Sequence, residues 1–178
     1  MPSPLLSTGQ PRYGAAMSET EPTFSAMGLD SRVAAALTRM GLSSPSQIQQ
    51  AVIPPVLSGR DVEARAGTGS GKTIAFAAPI VSMLMHGDGS DTADNTRIRC
   101  LVLSPTRELA GQIAGVLRGL ARGSGLRVLQ ATGGAPRMAQ VRTLADGIAI
   151  VVGTPGRVTD LVRRGEMALS AARTFVLD

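Results

Sequence analysis

Eight consecutive residues carry the clearest chemistry in the chain: Ala66-Gly67-Thr68-Gly69-Ser70-Gly71-Lys72-Thr73. Three glycines in five residues let a backbone turn its N–H groups inward around phosphate oxygens without side-chain clash. Lys72 would then supply a point charge for the β- and γ-phosphates, and the Thr73 hydroxyl would complete the coordination of Mg2+. A helix beginning near Gly71 adds the positive end of its dipole. The strict phosphate-loop pattern opens with Gly, and Ala66 is a small substitution at that place. Composition singles out the same position: seventeen of the eighteen basic residues are Arg, and Lys72 is the one Lys. The bland alternative is a glycine-rich turn with an incidental Lys. The strand expected before the loop and its Gly-Lys-Thr ending weigh against that, so these residues predict nucleoside triphosphate binding and leave the driven chemistry open.

Such a loop needs a strand before it and a helix after it. Short β-type runs are predicted at Val62–Ala66, Cys100–Ser104, Leu126–Ala131, Ile148–Val152 and Thr174–Leu177, alternating with helices near 71–85, 106–122, 137–145 and 155–164. Apolar strands each followed by a helix imply a parallel sheet covered on both faces, an α/β doubly wound domain. Ahead of it, Val33, Leu37 and Met40 mark one face of a helix that starts at Asp30 and stops at Gly41. A second helix is expected from Ser46, with Ile48, Val52 and Val56 on one face and Pro54 and Pro55 kinking or ending it. Residues 1–22 hold four prolines and no sustained periodicity, which predicts a flexible tail and leaves 23–178 as the domain. Gly87–Asn95 reads as a polar surface loop, because its three Asp lack the spacing of a calcium loop.

At 178 residues, with 43% hydrophobic and 17% charged, the chain suits one core plus a tail and is not the composition of a disordered polyelectrolyte. The longest nearly apolar stretch, Ile74–Met85, is too short for a bilayer, so no membrane partner is expected. A single cysteine, Cys100, makes no internal disulfide and points to an intracellular location. The net charge of +5 is uneven: residues 97–178 alone sum to +7, so a polyanion should meet the second half.

Beyond the phosphate loop stand Pro105-Thr106-Arg107-Glu108-Leu109-Ala110, Gly133-Gly134, Thr154-Pro155-Gly156-Arg157 and Val176-Leu177-Asp178. In this order and spacing they resemble the DEAD-box family of ATP-dependent RNA helicases, in its N-terminal RecA-like domain, from Phe24 to Asp178. The resemblance implies a RecA-like P-loop domain that binds ATP with Mg2+. It also implies that Gln49, within Gly41–Gln49, and the isolated aromatic Phe24 read the adenine. An amide suits that task because it offers a donor and an acceptor. Here Leu42, Ser46 and Gln47 depart from the family's usual aromatic, Thr and second Pro. Asp178 would face Mg2+ as the first residue of a motif continuing Glu-Ala-Asp. Without that Glu and a second RecA-like domain, the 178 residues alone are expected to bind ATP weakly and to show no RNA-stimulated turnover.

The resemblance further implies that Thr106, Arg107, Gly133, Gly134, Thr154, Gly156 and Arg157, with Pro105 and Pro155, line an RNA backbone path. Physically, Pro105-Thr106 and Thr154-Pro155 are good helix starts that leave unpaired N–H groups beside an Arg. For any one of them alone, capping or a turn is the simpler reading. With no Trp, one Tyr and three Phe there is no stacking platform for splayed bases. RNA contacts should therefore go to phosphate and sugar, without sequence preference and weakening with salt. Two alternatives stay open: another P-loop NTPase such as a DNA helicase, and a non-catalytic RNA-binding short form.

Overall fold

The structure is a computed structural model that describes residues 22–86 and 97–178. The tail expected over 1–22, Pro22 apart, and the loop expected over 87–95 lie outside the described residues. A 3-10 turn, Phe24–Met27, leads to helices α1 (Ser31–Arg39), α2 (Gln47–Leu57) and α3 (Lys72–His86). Strand β1 (Cys100–Leu103), α4 (Arg107–Leu120), β2 (Val128–Ala131), α5 (Arg137–Ala145), β3 (Ile150–Gly153), α6 (Pro155–Arg163) and β4 (Thr174–Leu177) then alternate. Asp30 caps α1, its carboxylate accepting from the Arg32 N–H at 2.8 Å. Gln49 reaches back at the start of α2, its Oε1 accepting from the Ser46 N–H at 2.9 Å. Pro54 and Pro55 do not stop α2, which runs on to Leu57. They fall in its last turns, and their carbonyls still accept from Ser58 and Arg60.

The described strands form one all-parallel sheet in the order β2-β3-β1-β4, with Cys100 beside Ile150 and Thr174, and Val128 beside Ile150. Alternation sorts their side chains onto two faces. Cys100, Val102, Ile150 and Val152 join the core made with α1, α3 and α4. Leu101, Leu129, Ala131 and Val151 pack with Val158 and Leu161 of α6 on the other. This is the expected parallel α/β sheet. Two strands start two residues later than expected, because Leu126 and Ile148 are buried on the approach without pairing.

The expectation of a strand at Val62–Ala66 is corrected. The segment is irregular, residues 61–65 are exposed, and among the described residues β4 is paired only with β1. Alone among the five expected strands it carries a carboxylate, Glu63, which pairs with Arg65 two residues on at 2.8 Å in solvent. It therefore lacks the two apolar faces that bury a parallel strand.

The topology sets the loops after β1, β2 and β3, and Asp178 after β4, along the carboxyl edge of the sheet. In open α/β sheets that edge is where ligands bind.

Candidate nucleotide and nucleic-acid site

The phosphate loop is held from behind by α2. Ser46 Oγ donates to the Ser70 carbonyl at 2.8 Å, and Gln49 Nε2 donates to the Gly71 carbonyl at 3.2 Å. Gly71 has φ 93°, and a Cβ there would fall 2.3 Å from Gln49 Nε2, so only glycine fits this contact. At Gly67 and Gly69 a Cβ would meet nothing within 4 Å, which leaves the other side of the loop open. Thr68 and Ser70 complete the turn before α3 begins at Lys72. Lys72 Nζ folds back to donate to the carbonyls of Ala66 and, at 3.1 Å, Gly67. Those carbonyls hold the ammonium where an incoming phosphate would compete for it.

The sequence-derived adenine readers are placed differently from each other. Gln49 is 4% exposed, with both ends of its amide engaged by Ser46 and Gly71, so here it braces the phosphate loop. Phe24 is buried in the core cluster, the packing role open to any tail aromatic.

A cavity of about 1130 Å³ opens between α2, α3 and β4, and both Lys72 and Asp178 line it, with Asp61, Glu63 and Arg173 nearby. Asp178 extends the β4 ladder, its N–H donating to the Leu103 carbonyl at 3.0 Å, while its side chain is exposed. Thr73, on the first turn of α3, and Asp178 offer a hydroxyl and a carboxylate. Hard oxygen donors of that kind suit Mg2+, which retains several waters and does not require a protein cage. Among the described residues no group of three or more His, Cys, Asp or Glu could hold a metal by itself.

Further along the edge, the segments expected to follow RNA converge on one loop. Thr106, next to the exposed Pro105, caps α4, its Oγ1 accepting from the Leu109 N–H at 3.2 Å. Arg107 donates to the Gly133 carbonyl at 3.2 Å, and Arg157 donates to the Ala135 carbonyl at 3.2 Å. Gly134, with φ 84°, leaves the space where a Cβ would lie 2.0 Å from the Arg107 guanidinium. Thr154 and Pro155 open α6 without a side-chain cap bond, and a Cβ at Gly156 would meet nothing within 4 Å. Sequence reading missed two supporting residues. A Cβ at Gly153 would lie 2.7 Å from the Ala131 carbonyl oxygen, and Gln140 is buried under the Gly133-Gly134 loop. A glycine ending an otherwise β-branched strand was the available signal for the first.

A family model described as DEAD/DEAH box helicase matches residues 46–178. The chain is 42% identical, over 87% of its length, to the DEAD-box ATP-dependent RNA helicase 52A of Oryza sativa subsp. japonica. It is 40% identical, over 88% of its length, to the RNA helicase CrhR of Synechocystis. It spans 27% and 30% of those two relatives. The crystal structure of a DEAD box protein from the hyperthermophile Methanococcus jannaschii superposes with a TM-score of 0.79 at 34% identity, covering 88% of this chain and 41% of that one. With three-quarters of its length inside the family match and its phosphate loop, arginine-bearing corners and terminal aspartate on one sheet edge, the chain belongs to the DEAD/DEAH box helicase family.

Proposed function

We propose that this chain is the part of an ATP-dependent RNA helicase that grips ATP with Mg2+ and holds one RNA strand by its backbone, hydrolysis and duplex unwinding belonging to the whole protein. The observation that carries this reading is that Lys72 and Asp178 line one cavity along β4, while Arg107 and Arg157 follow β1 and β3 at the carboxyl edge that Asp178 also marks. The names of the two relatives, both RNA helicases and one called ATP-dependent, support it.

In this reading the open face of Gly67 and Gly69 lets backbone N–H groups approach phosphate, and Lys72 exchanges its two carbonyl partners for phosphate oxygens. Mg2+ would supply charge neutralisation at the phosphates. Thr73 and Asp178 would hold the ion, directly or through its waters. The edge corners hold RNA phosphates by N–H groups and guanidinium charge, which fixes position without reading sequence. We also place the protein in an intracellular compartment, which the single, buried and free Cys100 supports.

The test is a titration of the chain with a fluorescent ATP analogue and Mg2+. Lys72→Ala should weaken binding at least about tenfold, the loss of one charge-assisted contact, with the circular dichroism spectrum unchanged. Equal affinity for the two proteins would sink the nucleotide reading.

A further inference from the structure

Gln140 on α5 has no counterpart among the residues expected to touch RNA, and it is 4% exposed. Its Nε2 donates to the Thr132 carbonyl at 2.9 Å, and this is its one side-chain hydrogen bond, since its buried Oε1 has no partner. Burying an amide with half its capacity unmet opposes folding unless the bond it does make is needed.

That bond is one of three of the same kind. The carbonyls of Thr132, Gly133 and Ala135 each accept from a side chain on a different helix: Gln140 on α5, Arg107 on α4 and Arg157 on α6. In a trans peptide the C=O and the following N–H point in opposite directions, and among the described residues no peptide is cis. Pulling the Thr132 and Gly133 carbonyls toward the helices therefore turns the Gly133 and Gly134 N–H groups the other way. Neither N–H makes a backbone hydrogen bond among the described residues. Two successive free N–H groups aimed outward form an anion-binding concavity.

We infer that Gln140 is a positioning residue for the nucleic-acid backbone: by holding the Thr132 carbonyl it fixes the direction of the Gly133 and Gly134 N–H groups toward a phosphate. Arg107 and Arg157 share this work from either side, but both are exposed enough to meet a phosphate themselves. Gln140 is buried and acts only through the loop. The inference rests on the RNA-backbone reading above.

The test compares the wild-type chain with Gln140→Met, which keeps the volume and removes the donor, and Gln140→Glu, which sets an acceptor against the Thr132 carbonyl. Three quantities are read: oligouridylate affinity by fluorescence anisotropy, affinity for the fluorescent ATP analogue, and the Gly133 and Gly134 amide signals in a nitrogen-15 NMR spectrum. In the wild type, oligouridylate should shift both amide signals. Both variants should bind oligouridylate at least about fivefold more weakly, the loss of one oriented hydrogen-bond site, while ATP affinity stays within about twofold. Unchanged oligouridylate affinity in both variants overturns the role of Gln140 and leaves the RNA reading standing. Parallel loss of ATP and oligouridylate binding overturns it as well, by showing a general structural role. Absence of any wild-type shift at Gly133 and Gly134 on adding oligouridylate overturns the inference and the RNA reading together.

Discussion

At the scale of single residues, the chain separates groups that announce themselves from groups that need a fold to be seen. Lys72 is legible because its type, its glycines and its Thr neighbour are contiguous, and phosphate binding by backbone is local chemistry. Gln140 and Gln49 are not legible in the same way, since what they do depends on carbonyls eight and twenty-two residues away. Asp30 lies between the two cases. Its place before a helical run marks it as a cap, but not its burial nor its other partners. The Arg32 guanidinium donates to its two carboxylate oxygens at 3.0 and 2.9 Å, its own N–H donates to the Ser82 hydroxyl, and His86 stands 3.7 Å away. The Arg32 hydrogen bond, outweighing the cost of burial, brings the Asp30 carboxyl down to about 2. A carboxyl whose folded value lies below its unfolded value stabilises the fold fully above the unfolded value, and that stability is lost as pH falls toward the folded one. The urea midpoint should therefore fall between about pH 4 and pH 2. Asp30→Asn, which preserves the cap, should flatten that part of the profile; an equally steep acid limb in the variant would show that the Asp30–Arg32 pairing is not what acid breaks.

At the scale of elements, pattern reading succeeds where both faces are apolar and fails where pairing has to be assumed. β1 and β3 are apolar on both sides and were recoverable to within two residues. Val62–Ala66 alternates small apolar with charged residues, and a sequence cannot say whether β4 offers it an edge. Helix starts were legible because caps are local: Asp30, Ser46, Thr106 and Thr154 all stand at N-termini. Glycines show the limit, since one letter serves several purposes. A Cβ at Gly153 would sit 2.5 Å from Val158 Cγ2 and 2.7 Å from the Ala131 carbonyl oxygen, where β3 is pressed between β2 and α6. Backbone cannot step aside as a side chain can, so Gly153→Ala should destabilise by about 1–3 kcal/mol, the usual range for overpacking. Gly115, on the exposed side of α4, has nothing within 4 Å of a Cβ. There Gly115→Ala should stabilise by about 0.5–1 kcal/mol through the lost freedom of the unfolded chain. Thermal melts of the two variants should move in opposite directions; a shared direction would refute the close approach at Gly153.

At the scale of the whole molecule, the sheet joins the proposed nucleotide end of the site to the proposed nucleic-acid end, and Cys100 sits at its centre. β1 lies between β3 and β4, with Cys100 level with Ile150 on one side and Thr174 on the other. The thiol is fully buried on the face covered by α1, α3 and α4, and burial pushes it up to about 12. Only a thiolate attacks a disulfide reagent, so at neutral pH the native sheet protects Cys100 twice, by access and by protonation. Reaching it requires the helical layer to leave the sheet. Because the same layer carries α3 with Lys72, that opening also dismantles the phosphate site. Cys100 is the one cysteine in the chain, so its modification rate reports this event alone. The native protein should react with an aromatic disulfide reagent orders of magnitude more slowly than the urea-unfolded chain. ATP with Mg2+ should slow the reaction further, by the factor that ligand binding adds to the folded population. If the rate instead rises steeply at urea concentrations well below the unfolding transition, and nucleotide leaves it unchanged, then the face bearing Cys100 opens independently of the phosphate loop and the two ends of the site are not held by one cooperative unit.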